Sequence, residues 1–84
     1  MRIGLLSDTH SYIDQDWAQY FETCDEIWHA GDFGNIEVLD YLKKLKKVRA
    51  VYGNIDGKEI RSEIPEILNF SINGVKVLMI HIGG

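Results

Sequence analysis

Residues 2–10 read Arg2-Ile3-Gly4-Leu5-Leu6-Ser7-Asp8-Thr9-His10, and this stretch decides the fold class. A short apolar run stopped by a polar turn is the pattern of a buried central strand, here beginning almost at the first residue. The turn that stops it carries a carboxylate and an imidazole two residues apart. In open α/β sheets, ligands bind at the carboxyl ends of parallel strands, so Asp8 and His10 stand where such a site would lie. Mixed oxygen and imidazole donors suit manganese, iron, zinc or nickel, whereas magnesium and calcium prefer oxygen alone.

The arrangement recurs three times downstream. Glu26-Ile27-Trp28-His29 reads as a second strand and runs into Ala30-Gly31-Asp32. Residues 48–52 read as a third strand and run into Gly53-Asn54-Ile55-Asp56. Residues 75–80 form an apolar strand that ends at His81-Ile82-Gly83. A carboxylate such as Asp32 can bridge two cations about 3.5–4 Å apart, and the glycine before it permits a close backbone approach. The amide oxygen of Asn54 can ligate a metal without adding charge. Each residue alone has an ordinary explanation: Asp8 as a cap, Asp32 and Asn54 as turn residues, His81 as a packed side chain. Four such groups in order, all at expected strand ends, are hard to explain as turns.

Between these motifs, residues 16–23 have the spacing of a short amphipathic helix. Asn35 can cap a second helix over residues 36–47, with Ile36, Leu39, Leu42 and Leu45 near one face. Residues 56–65 hold the only proline and read as a loop. Residues 67–72 and 75–80 flank Asn73-Gly74, the strongest short-range hairpin signal. The expected fold is therefore α/β: a βαβαβ unit with right-handed parallel crossovers, followed by an antiparallel β-hairpin.

Composition narrows the function. The 84 residues make one domain at most, and one this short has a thin stability margin. Thirteen acids against nine bases give a net charge of −4, with no basic stripe to track an extended nucleic acid. Lys43, Lys44, Lys46 and Lys47 are the one basic cluster and suit the solvated end of a helix. A single cysteine, Cys24, excludes an internal disulfide and fits a reducing cytoplasm. The apolar run at the N-terminus is too short for a signal peptide or a membrane span.

The series Asp8-x-His10, Gly31-Asp32, Gly53-Asn54-x-Asp56 and His81 resembles the calcineurin-like metallophosphoesterase superfamily, and within it the small YfcE-like phosphodiesterase branch. The resemblance covers residues 1–84. It implies the N-terminal half of an αββα sandwich, truncated before the family's closing Gly-His-x-His, of a protein roughly twice this length and thus of ordinary domain size. It also implies two divalent cations, manganese foremost, with nickel, zinc or iron as alternatives. Asp8 and His10 would hold the first metal, Asp32 would bridge both, and Asn54 and His81 would hold the second. Asp32 and Asn54 would be the catalytic positions. The activity implied is a phosphoesterase, most of all a phosphodiesterase, that activates water for in-line attack on the phosphorus of a small phosphate ester.

Ile55 stands where many relatives carry a histidine, so Asp56 reads as structural and the leaving-group proton needs another source. His29 is outside the family's ligand set and reads as support or packing. The 84 residues alone are expected to be weakly active or inactive, and their uncovered apolar sheet surface would favour homo-oligomers. Two other readings stand beside the enzyme. One is a protein-binding scaffold of the retromer-subunit kind, which apolar patches on the sheet-covering helices would favour. The other is a flavodoxin-like or receiver-like domain, against which the Asn-Gly hairpin and Asp-x-His argue.

Overall fold

The computed structural model describes residues 1–81. Ile82 and Gly83, which follow His81 in the fourth motif, and Gly84 lie outside the described residues. Three strands, β1 (Ile3–Leu6), β2 (Glu26–His29) and β3 (Lys47–Ala50), pair in parallel in the order β1-β2-β3. Helix α1 (Trp17–Tyr20) connects β1 to β2, and α2 (Ile36–Leu45) connects β2 to β3. After a third helix, α3 (Lys58–Glu63), strands β4 (Ile67–Ile72) and β5 (Val75–Ile80) form an antiparallel pair with its own ladder. Among the described residues no helix is long and apolar enough to cross a membrane.

The register of the parallel sheet is what builds a site. Leu6 pairs with His29, and His29 with Ala50, so the three strands stop side by side. The segments that follow, each carrying one of the motifs, must therefore emerge at one edge.

The core lies between the sheet and its helices. Ile27 and Ala50 from the strands meet Val38, Leu39 and Leu42 of α2, Ile60 of α3, and Phe33 and Trp17. The buried stripe of α2 is Val38, Leu39 and Leu42, with Ile36 and Leu45 only partly covered. The expected three-residue steps ran ahead of the true 3.6-residue turn, and so put Ile36 on the buried face in place of Val38.

Helix α2 stops at Leu45, short of residue 47, and β3 takes Lys47 and stops at Ala50, short of residue 52. Three larger expectations also change. Residues 56–65 are not all loop: Ile60 is buried in the core and holds α3 in place. Helix α1 is a single turn that buries only Trp17, and is shorter than residues 16–23. Strand β1 is neither central nor fully buried: it is an edge strand among the described residues, and Leu5 is 73% exposed.

The hairpin forms as its sequence dictates. Asn73 and Gly74 both have positive φ, 50° and 80°, and Ile72 pairs with Val75 across a two-residue loop. Its inner face carries Leu68, Phe70, Val77 and Met79. The Phe70 ring meets Trp28 edge-on with centroids 5.0 Å apart, and the Arg49 guanidinium lies 4.2 Å from the Phe70 centroid. Arg49 also donates to the buried Glu26 carboxylate at 2.7 Å, as does the Trp28 indole at 3.0 Å. Burial alone would raise the Glu26 carboxyl; these two donors hold it below its ordinary value. One ionic and aromatic cluster thus fastens the hairpin to β2 and β3.

Candidate metal centre

Backbone hydrogen bonds carry the parallel pairing past the strand ends. Asp8 N–H donates to Gly31 O at 2.9 Å, His10 N–H to Asp32 O at 3.1 Å, and Ser11 N–H to Phe33 O at 2.6 Å. To make them, Asp8, His10, Ser11 and Asp32 all take positive φ, between 48° and 69°. Among the described residues only one other non-glycine residue does so, Asn73 in the hairpin turn. Strained backbone therefore clusters where the side chains converge, as it does at functional sites.

Asp56 ties the second loop to the third. Its buried carboxylate accepts N–H bonds from Asp32 at 2.9 Å, Gly34 at 3.0 Å and Gly53 at 2.8 Å. The structural role expected of Asp56 has this form: it orients the backbone on which Asp32 and Asn54 sit. Gly31 and Gly53 are needed for space. A Cβ at Gly31, where φ is 108°, would lie 2.8 Å from His81 Nδ1, and one at Gly53 would overlap the Asp32 carboxylate.

The candidate ligand atoms meet around Asp32, which is 3% exposed. Its Oδ1 accepts the Ile55 N–H at 3.1 Å. Its Oδ2 lies 3.2 Å from His81 Nε2 and 4.0 Å from His10 Nε2. His10 Nε2 is also 3.9 Å from Asp8 Oδ1. Single donor atoms of Asp8, Asp32 and His81 all lie within 4.8 Å of one another. A hydrogen bond with the Ser7 side chain holds the half-exposed Asp8 carboxyl below its ordinary value, with help from His81, Asp32 and His10. Asn54 lines a cavity of about 140 Å³ together with His81.

The orientation of His81 is decisive. Its Nδ1 lies 2.8 Å from Ala30 O, a carbonyl that can only accept, so Nδ1 carries the proton. In the neutral ring Nε2 is then a lone pair, buried and without a hydrogen-bond partner, facing the Asp32 carboxylate. In that state two acceptors face each other at 3.2 Å, and a cation bound between them would satisfy both. A divalent metal fits this donor set of carboxylate oxygens and oriented imidazole.

His29 is excluded from that set by its contacts. It is fully buried and stacked on Phe33 at 3.6 Å. Its Nδ1 accepts the Gly31 N–H at 3.1 Å, so in the neutral ring Nε2 carries the proton and donates it to Thr9 Oγ1 at 3.1 Å. The Thr9 hydroxyl passes the chain on to Phe33 O at 3.2 Å. Burial pushes the His29 pKa down to about 4, which keeps the ring neutral. The ring supports the Gly31-Asp32 turn from behind.

Arg61 is a residue near this site that sequence reasoning missed, because residues 56–65 read as loop. The i, i+4 spacing of Ile60 and Ile64 was the available signal for α3. Its guanidinium lies 4.4 Å from the Tyr52 ring centroid and lines the cavity shared by Asn54 and His81.

The profile of the calcineurin-like phosphoesterase superfamily domain matches residues 1–84. The probable metallophosphoesterase MJ0623 of Methanocaldococcus jannaschii is 41% identical over 87 aligned positions, covering 96% of this chain and 43% of that protein. The phosphodiesterase MJ0936 of the same organism is 29% identical over 97 positions, covering 96% and 58%. The chain thus spans about half the length of the curated relatives it matches. Among solved structures, a point mutant of Vps29 from Entamoeba histolytica superposes with a TM-score of 0.76 at 21% identity, covering 96% of this chain and 48% of that one. Vps29 from Chaetomium thermophilum gives 0.73 at 13% identity, covering 90% and 43%. At these identities the likeness is one of fold.

Proposed function

The chain belongs to the calcineurin-like phosphoesterase superfamily, and from this we propose that it forms the metal-binding half of a phosphodiesterase acting on a small phosphate ester. The observation that carries the reading is the His81 Nε2 lone pair, turned by Ala30 O toward Asp32 Oδ2 at 3.2 Å, with Asp8 within reach of both. Asp8, His10 and Asp32 would hold one divalent cation; Asp32, Asn54 and His81 would hold a second. Manganese is the first candidate, then nickel, zinc and iron. When bound, such a pair supplies Lewis acidity toward water and phosphoryl oxygens.

The chain's own residues do the rest. Asp32 is held by its backbone on Asp56 and by its Oδ1 on Ile55 N–H, which leaves Oδ2 for the site. His81 is held in one tautomer, and the depressed Asp8 carboxyl stays anionic at neutral pH. Ile55 offers no proton donor, so the leaving group would draw its proton from solvent. Further ligands would come from a following segment of the protein. Cys24, unpaired, suits a cytoplasmic setting. The scaffold reading rests on fold likeness alone; the outward face of α2 carries Glu37, Asp40, Lys43 and Lys44 in place of the apolar patch it calls for.

The full-length protein carrying Asp32→Asn tests the proposal. Both metals should be lost together, with affinity down by more than the ~10–100-fold that supporting partners cost. Manganese-stimulated hydrolysis of an activated phosphodiester should vanish with them. Normal turnover by that variant would falsify the assignment.

A further inference from the structure

The cavity beside the candidate metal ligands has Tyr52, Asn54, Arg61, Glu66, Ile80 and His81 in its lining, and Arg61 is the one permanent cation among them. Its volume, about 140 Å³, is well below the ~300 Å³ at which whole-ligand pockets begin. It suits one functional group of a larger molecule. Arg61 is fixed in place before any ligand arrives. Its Nε donates to Asp56 O at 2.6 Å, Nη2 lies 3.5 Å from Gly53 O, and its plane is seated 4.4 Å from the Tyr52 centroid. These contacts occupy one donor firmly and a second weakly, and leave the outer fork available. No carboxylate within 4.0 Å neutralises it among the described residues, and Glu66, which also lines the cavity, is not paired with it.

We propose that this cavity is an oxyanion subsite, in which the Arg61 guanidinium binds phosphoryl oxygens of the ester presented to Asp32, Asn54 and His81. The planar fork matches such oxygens, which a lysine would meet only as a point charge. Because the Ile55 side chain has no polar atom and its N–H is taken by Asp32, Arg61 is the cationic side chain of this cavity that can orient and neutralise the phosphoryl group. The Glu66 carboxylate, in the lining of the same cavity, repels the anion and lowers its affinity. The subsite rests on the phosphoesterase reading for its ligand, and on the geometry of α3 for its existence.

The test is inorganic phosphate binding to the manganese-loaded full-length protein by calorimetry, with metal binding measured alongside. Arg61→Ala should weaken phosphate by at least about tenfold and leave metal stoichiometry unchanged. Arg61→Lys should recover part of that loss. Glu66→Gln should tighten phosphate by about twofold to threefold, a gain that general destabilisation cannot mimic. Phosphate affinities of wild type and Arg61→Ala within about twofold would overturn the subsite. So would a loss of metal binding in Arg61→Ala that Arg61→Lys does not repair, since Arg61 would then serve the Asp56 loop alone. Ester hydrolysis separates the two ideas. A wild type that binds phosphate through Arg61 yet shows no manganese-stimulated hydrolysis keeps the subsite and sinks the phosphodiesterase; one that hydrolyses with Arg61-independent phosphate binding does the reverse.

Discussion

The parallel sheet and the hairpin deliver the candidate metal ligands to one place by different means. The loops after β1, β2 and β3 are bound to each other through backbone: Asp8 N to Gly31 O, His10 N to Asp32 O, and three N–H groups onto Asp56. Their positions follow from strand register. The hairpin brings His81 to the same point through side chains, with Phe70 against Trp28 and Arg49, and with the Nδ1 bond to Ala30 O. Asp8, His10 and Asp32 are therefore held by a scaffold that stands or falls with the core. His81 depends on a docked element that can be loosened while the parallel sheet survives.

The strongest way to break this contrast is to remove the backbone anchor. Asp56→Ala strands three buried or half-buried N–H groups, each costing about 1–3 kcal/mol when unsatisfied. A stability loss of at least about 3 kcal/mol is expected in urea unfolding, with metal binding lost in step. Unfolding at native-like urea midpoints would show that the loops hold without Asp56.

Acid should act on the same half. His29 has its folded pKa lowered to about 4 from 6.5, so the unfolded chain binds more protons between those values. The stabilisation is complete above pH 6.5, is lost as pH falls toward 4, and amounts to ~3 kcal/mol at most. Urea midpoints from pH 7.5 down to pH 4 should record the fall, and His29→Gln should flatten that slope.

The hairpin side is sharpened by Phe70→Ala. Phe70 is only partly buried, so the cost should be about 2 kcal/mol, below the ~3–5 of a full core site. Hydrogen exchange should quicken in β4 and β5 before β1–β3, and affinity should fall more for one metal than for the other. Equal exchange in both sheets would erase the contrast. The smallest effect is expected at Gly74→Ala: with φ at 80° and open space around the Cβ, the penalty is conformational, ~1 kcal/mol, and confined to the hairpin.

Legibility differed along the same line. The three parallel strands, the Asn73-Gly74 turn and the motifs at strand ends could be read because each is a local signal: an apolar run, a positive-φ pair, a ligand after glycine. Helix α3 could not, since Lys58–Glu63 is six residues with one buried apolar side chain, Ile60, and Pro65 nearby suggests loop. The extent of α1 was overstated because only Trp17 found a core to enter. The edge position of β1 is a matter of which strands neighbour it, and no pattern within residues 2–7 reports that.

From the primary structure came every element type but α3, the family and a roster of candidate donors, because backbone preference and hydrophobic period act over a few residues. The folded chain alone decided that Oδ2 of Asp32 faces Nε2 of His81, that Ala30 O sets the proton on that ring, and that Asp56 gathers three distant N–H groups. Those contacts join residues up to 51 positions apart. They depend on how two sheets dock, and docking is set by side chains that meet only when the whole core has closed.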